Sequence, residues 1–511
     1  MLVKAFSSAV IGIGAIKISI EVHITQGIRF FIVGLADHAI RESQQRIEAA
    51  LSNNGFEWPR FRVVINLSPA HIRKEGTHYD LPLAIGILAA TKQVSENRLC
   101  DYLLLGELSL DGKVRPVKGV LPMVLLAREE KFRGVIVPGE NAAEALVVDG
   151  LEVIAVTDLS EVVSFLNGLA VESEREERQV SYQAGPGAYK VDFSEVKGQG
   201  AVKRAMLIAA AGSHNLILIG PPGSGKSMMA RRLPTIMPPM TLEESLQTTR
   251  VYSVAGRVSS DSGLIRSRPF RMPHHSSSNI AMIGGGSSPQ PGEISMAHNG
   301  VLFLDELPEF KRGVLEVMRQ PLEDREIHIS RAAYRVVYPS DFMLVAAMNP
   351  CPCGYYNHPD RECSCGPGLI RQYLSRISGP LLDRIDLHLE VVPVPFKQLS
   401  QKEQAEGSAL MREQVIRARE IQQIRFKSSG PVSCNARMGA ALRNRHCILD
   451  RAGSSMIRLA MERLGFSART YDRILKVART IADLEGSDRI QSSHLAEAIS
   501  YRNLDRDGWS G

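Results

Sequence analysis

No apolar run in the 511 residues approaches the ~20 that a membrane span requires, so no spanning helix is expected. Internal repeats and low-complexity tracts are missing as well, which excludes a repeat array and a long compositionally biased tail. Cysteine is sparse outside one place. Cys100, Cys434 and Cys447 are isolated, and the other four of the seven fall between Cys351 and Cys365. That distribution is no secreted disulfide framework, and it favours a reducing, cytoplasmic interior. Neither sign of charge dominates: the formal net charge is +6, compatible with a nucleic-acid partner without requiring one. At the N-terminus, MLVKAFSSAVIGIGAI has the lysine and short apolar run of a signal peptide. Lys17 interrupts that run, and KISIEVHI continues with strand-like alternation, so no signal peptide is expected.

The chain is too long for one hydrophobic core, and ordinary domain sizes suggest about three folding units. Residues 1–168 alternate strand-like runs (KISIEVHI, FRVVINLSP, GVIVP, LEVIAV) with helical stretches such as HAIRESQQRIEAALSNNG, whose Gly55 is a helix stop. Residues 169–190 turn charged and then Gly/Pro-punctuated, which reads as a linker. A second α/β region is expected over 191–395. From 396 to 511 apolar residues recur at three and four, the helical period.

The run LILI before Gly220-Pro221-Pro222-Gly223-Ser224-Gly225-Lys226-Ser227, with MMARRL after it, supplies the strand, phosphate loop and helix of a Walker A motif. Its glycines let backbone N–H groups face phosphates, Lys226 reaches the β and γ oxygens, and Ser227 ligates magnesium. Binding alone is not hydrolysis, and VLFL-Asp305-Glu306 adds the acidic pair. Asp305 would hold the magnesium shell and Glu306 would polarise the attacking water, whereas a strand ending in a solvated acidic turn is the bland alternative. A third apolar strand, FMLVAAM, ends in Asn349, where a polar side chain can orient that water. Arg384, in GPLLDRIDLHLEV, has the character of an arginine finger for a neighbouring subunit; its structural alternative is a pair with Asp383 or Asp386.

These motifs resemble the AAA+ ATPases of the magnesium-chelatase-like branch, and within it the bacterial ComM/YifB family. The resemblance also rests on VGLADHAIRES, EGTHYDLPLAIGILAA, RPFRMPHHSSSNIAMIGGGSSPQPGEISMAHNG and SARTYDRILKVARTIADLEG, and it covers nearly the whole chain. It implies an α/β protein with a Lon-protease-like (ribosomal S5-type) α+β domain, a parallel-sheet AAA+ core and a C-terminal helical lid. The implied function is that of a homohexameric, ATP- and Mg2+-dependent DNA helicase. Such a helicase would promote branch migration during natural transformation, on single-stranded and branched DNA and alongside recombination proteins. Site by site, it makes Asn349 the first sensor, Arg384 the trans finger and Arg469 a second sensor in cis, with Arg473 one turn on as the alternative. It also offers two pore elements: an insert over Gly284–Ile294, and a hairpin in EIHISRAAYRVVYP with Arg331 and Arg335 near its tip as DNA contacts. Without the resemblance, that hairpin is a solvated basic turn. His274 and His275 lack further ligands at metal-binding spacing and read as a structural loop.

Where Lon-type proteases place a serine nucleophile this chain has His78, and where they place its lysine partner it has Leu121, so no Ser–Lys peptidase is expected. A chelatase-type motor that remodels a protein partner is the alternative function. Against it stands the expectation that chelatase subunits resemble this chain only in the ATPase part. Finally, the two C-x-C pairs Cys351/Cys353 and Cys363/Cys365 supply four soft ligands for a closed, structural Zn2+ site, with Gly354 and Pro359 turning the chain between them. His358 is a substitute ligand, and a metal-free or redox-active loop is the competing reading.

Overall fold

A computed structural model of the protein describes residues 2–169, 189–286, 289–331, 334–356, 358, 360–394, 406–430 and 432–502. Residues 170–188 of the expected linker, and 395–405 where core and lid were expected to meet, lie outside these. Among the described residues, no helix is long and apolar enough to cross a membrane.

The first sheet begins as a long antiparallel hairpin, Leu2–Ile11 against Gly14–Thr25, in register from Leu2↔His23 to Ile11↔Gly14. The alternation in KISIEVHI is the cause of its facing: Ile18, Ile20 and Val22 are fully buried while their neighbours point outward. Arg62–Ser68 extends the sheet antiparallel on one side, with the edge strand Phe30–Val33 beyond it. On the other side lie Tyr102–Leu104, Gly134–Pro138 and Glu152–Val156, all parallel. Helices His38–Asn53 and Asp80–Ala90 pack into the core on one face, and Val120–Glu129 into a second core on the other. Asp37 caps the first of these helices by accepting from the Ile40 N–H at 2.9 Å, and Gly55 follows it at φ +76°.

The second sheet is wholly parallel, in spatial order Phe270–Arg271, Val301–Leu304, Met343–Met348, Leu216–Ile219, Leu387–Glu390. Every residue of the LILI, VLFL and MLVAAM strands is buried, as strands covered on both faces must be. The helical region does not keep a core of its own. Met411, Val415 and Phe426 from helix Ser408–Phe426, and Ile474 and Ile481 from helix Ala468–Leu484, join Leu216, Leu218 and Val345 in one apolar cluster. Amphipathic helices bury their stripes on whatever apolar face is nearest, here the helices that cover this sheet. Since all five strands run the same way, the sheet has two distinct edges. Residues after the strands gather at one, residues before them at the other.

Candidate functional site

The loop Gly220–Ser227 leaves the C-terminal end of the Leu216–Ile219 strand. A Cβ on Gly220 would lie 2.2 Å from the Val391 carbonyl oxygen, so only glycine passes there. Gly223 (φ +77°) and Gly225 (φ +86°) are left-handed, turning the chain into the helix that starts at Lys226. Lys226 Nζ donates to the carbonyls of Gly220 and Pro221 at 2.7 and 2.9 Å and to Asn349 Oδ1 at 3.2 Å. Burial lowers its ammonium below the usual lysine value against the pull of Asp305. Ser227 donates to Asp305 Oδ2 at 2.6 Å. Three segments spread over more than a hundred residues of chain thus meet at one edge of the sheet, with Lys226 in hydrogen-bond contact with Asn349 and Ser227 with Asp305. A lysine, a hydroxyl and a carboxylate so placed can hold a phosphate chain and a magnesium ion.

Glu306 stands at the same edge in a left-handed backbone conformation (φ +52°), its carboxylate largely exposed. His275 Nδ1 lies 3.3 Å from Glu306 Oε2, and its ring stacks on His274 at 4.1 Å between centroids. His275, expected only as part of a structural loop, is a functional candidate here. It follows the Phe270–Arg271 strand, and that strand neighbours Val301–Leu304 only in the folded order.

The arginines occupy the opposite edge. Arg384 is buried, donating to the Pro380 carbonyl at 2.5 Å and to the Glu323 carboxylate, while its Nε is buried with no partner among the described residues. Its partner is therefore Glu323, and neither Asp383 nor Asp386. Arg469, 64% exposed, lies 3.8 Å from Asp383, and Arg473 pairs with Asp386. Burial would raise the Asp386 carboxyl, but Arg473 and His214 beside it outweigh that and hold it well below the usual carboxylate range. Asn215, Phe342 and Asp386, each the residue before a strand, line a cavity of about 230 Å³ with Glu323, Arg469 and Arg473. A four-residue strand separates this edge from the phosphate loop by about 13 Å. Arg469, expected as a sensor in cis, and its alternative Arg473 lie at this edge, beside the residues that precede the strands.

The expected basic hairpin forms as Glu326–Arg331 against Tyr334–Pro339, with Ser330 opposite Arg335. Arg335 is exposed, and the Arg331 side chain lies outside the described residues. Tyr338 donates to the Pro289 carbonyl at 2.8 Å, tying the hairpin to the short ribbon Gly284–Gly285/Gln290–Pro291 within the expected insert. Arg335 also lines a cleft of about 960 Å³ shared with the first sheet, whose wall includes His71, Arg73, His78 and Lys118. His78 contacts the Ser8 carbonyl through Nε2 at 2.8 Å, and Leu121 is a fully buried core residue.

The four cysteine sulfurs lie within 4.8 Å of one another, a set able to hold a metal ion. His358 stays outside that set, its Nδ1 accepting from the Asp360 N–H at 3.0 Å. Pro359 lies outside the described residues.

Family models describe each region. Residues 192–399 match "Magnesium chelatase, subunit ChlI", 20–141 "Subunit ChlI of Mg-chelatase", and 405–502 "Magnesium chelatase, subunit ChlI C-terminal". The parallel sheet, its phosphate loop and these matches define a magnesium-chelatase-like AAA+ protein, a class that implies ATPase activity. The competence protein ComM of Haemophilus influenzae is 44% identical over 508 residues, 98% of this chain and 97% of its own length. YifB of Escherichia coli is 42% identical over 98% of this chain and 96% of its own. The chain belongs to the ComM/YifB family. Lon protease 2 of Bacillus subtilis is 31% identical over 122 residues, 24% of this chain. The match over 20–141 carries a chelatase description, and the magnesium-chelatase 67 kDa subunit of Chlorobaculum parvum is 24% identical over 208 residues, 40% of this chain.

Proposed function

We propose that this chain is an ATP-driven DNA translocase or helicase working as a cytoplasmic homohexamer, and that it promotes branch migration during homologous recombination. The observation that carries this reading is the split of the motor. Lys226, Ser227, Asp305, Glu306 and Asn349 converge at one edge of the sheet, while Arg384, Arg469 and Arg473 gather at the other. A chain whose arginines face away from its own nucleotide loop suits a ring in which each subunit serves the next. Arg335 and Arg331 on the hairpin suit phosphate contacts of a sequence-indifferent kind. The Haemophilus relative is named a competence protein, which supports a role in natural transformation and alongside recombination proteins.

On this reading ATP and Mg2+ occupy the Gly220–Ser227 loop with Asp305, and Zn2+ is held by Cys351, Cys353, Cys363 and Cys365. Glu306 then polarises the attacking water while Asn349 orients it. The first domain, with His78 and Leu121 where the Lon-type nucleophile and its lysine would be, works in assembly or DNA handling without peptidase chemistry. Purified protein is expected to hydrolyse ATP faster with single-stranded or branched DNA and to move a three-stranded junction. Hydrolysis indifferent to DNA, with no strand displaced at low salt, would refute the reading.

A further inference from the structure

The cysteine cluster is built against the nucleotide loop. Cys351 comes two residues after Asn349, whose Oδ1 accepts from Lys226 Nζ at 3.2 Å. Its sulfur is buried and lies 3.3 Å from Cys353 Sγ and 3.6 Å from Cys363 Sγ, with the Tyr356 N–H donating to it at 3.3 Å. Between the two C-x-C pairs the chain turns at Gly354 (φ +87°), and that turn presses on the Walker loop: a Cβ there would lie 2.6 Å from Pro222 Cδ. On the outer side the loop closes on itself, with Arg361 over the Tyr355 ring at 5.1 Å and donating to its hydroxyl at 2.8 Å. The four-sulfur lobe therefore abuts the phosphate loop through its Gly354 turn at Pro222.

An ion bonded to each sulfur at about 2.3 Å in a tetrahedron sets the sulfurs about 3.8 Å apart. The observed separations need shifts of less than about 1 Å to reach that geometry. Neutral thiols make only weak hydrogen bonds and would leave the Gly354 turn free to drift, whereas four metal–thiolate bonds hold it rigid.

We propose that a zinc ion at these four cysteines braces the Gly220–Ser227 loop through the Gly354–Pro222 contact, so that metal loading and nucleotide binding are coupled. The proposal rests on the reading of that loop as the ATP site. Coupling is reciprocal: zinc tightens ATP binding, and ATP tightens zinc binding by the same factor in equilibrium affinity.

The test uses the full-length protein, zinc-loaded or stripped with a chelator that is then removed, and measures binding of a fluorescent ATP analogue with Mg2+ and no DNA. Stripping is expected to weaken binding by about tenfold, and added zinc to restore it. Because Cys351→Ser is able to disturb folding, Gly354→Val serves as the second variant. It leaves all four thiolates, is expected to retain one zinc, and forces the lobe off Pro222 with the same loss of nucleotide affinity. One bound zinc with nucleotide affinity unchanged on stripping, or an unchanged Gly354→Val, overturns the coupling and leaves the ATPase reading standing. Less than half an equivalent of zinc overturns the metal site. No nucleotide binding by the zinc-loaded protein overturns the ATPase reading beneath both.

Discussion

The two edges of the parallel sheet treat their cations in opposite ways. At the nucleotide edge, Lys226 is held mainly by neutral oxygens, the carbonyls of Gly220 and Pro221 and the amide of Asn349, so its charge stays available to an arriving phosphate. At the arginine edge the carboxylates are already there: Glu323 on Arg384, Asp386 on Arg473, Asp383 beside Arg469. A phosphate at this edge must displace an acid. Of the three, Glu323 is the most exposed, at 53%, so on the proposed ring reading it is the acid that a partner's phosphate would displace. The first edge leaves its cation without a bound acid, and at the second each arginine already has a carboxylate beside it.

The largest expected effect breaks this contrast. Arg384→Ala should lower DNA-stimulated ATPase by about 10³-fold, the range of a lost arginine finger, with nucleotide binding retained. Mixing it with Lys226→Ala subunits should restore part of the turnover, and demonstrated mixed rings without recovery would return Arg384 to a purely structural role. His275→Ala tests the nucleotide edge. Removing the imidazole beside Glu306 should change kcat by about tenfold with little change in KM, because His275 touches the carboxylate proposed to polarise the water and not the phosphate chain. An equal change in KM would make His275 a loop-packing residue. Glu323→Gln sharpens the contrast in the other direction: it weakens the pair that holds Arg384, and ATPase should stay within about threefold of wild type or rise. A loss as deep as that of Arg384→Ala would show that the pair is needed in place.

The smallest effect is one of pH at the arginine edge. His298, just before the Val301–Leu304 strand, accepts the Asp341 N–H at its Nδ1 at 3.0 Å. Burial pushes its pKa down to about 4, only partly offset by Asp341. The unfolded chain takes up a proton near pH 6.5 and the folded one does not. The contribution of His298 is therefore constant at high pH and falls as pH drops from about 6.5 toward 4, by about 1 kcal/mol between pH 7 and 5.5. Denaturant titrations at those two pH values should show this loss, and His298→Gln should reduce it.

Much of this architecture was legible beforehand because it is written locally. The apolar runs LILI, VLFL and MLVAAM became buried parallel strands, the glycines of the phosphate loop marked left-handed turns, and KISIEVHI alternated as a half-covered strand must. Assignments that needed the spatial order of strands fared differently. Arg469 was expected beside its own nucleotide and sits with Asp383 at the far edge. His275 was set aside as loop structure and contacts Glu306. The helical region, expected over 396–511, packs its apolar stripes into the cluster that includes Leu216, Leu218 and Val345 of the sheet.

By itself the sequence determined which groups this protein has for chemistry: a phosphate loop, an acidic pair, a polar sensor, four paired cysteines and a hairpin with arginines. Backbone conformation and hydrogen-bonding capacity are properties of residues and their near neighbours, and they carry over into any fold that the chain adopts. Only the tertiary structure decided which groups meet. Placing Leu216–Ile219 between Met343–Met348 and Leu387–Glu390 put Asn349 on Lys226 and the cysteine lobe on Pro222, and sent three arginines to the opposite edge. Such juxtapositions follow from burying one continuous apolar surface across distant segments, and no local stretch of the chain encodes that.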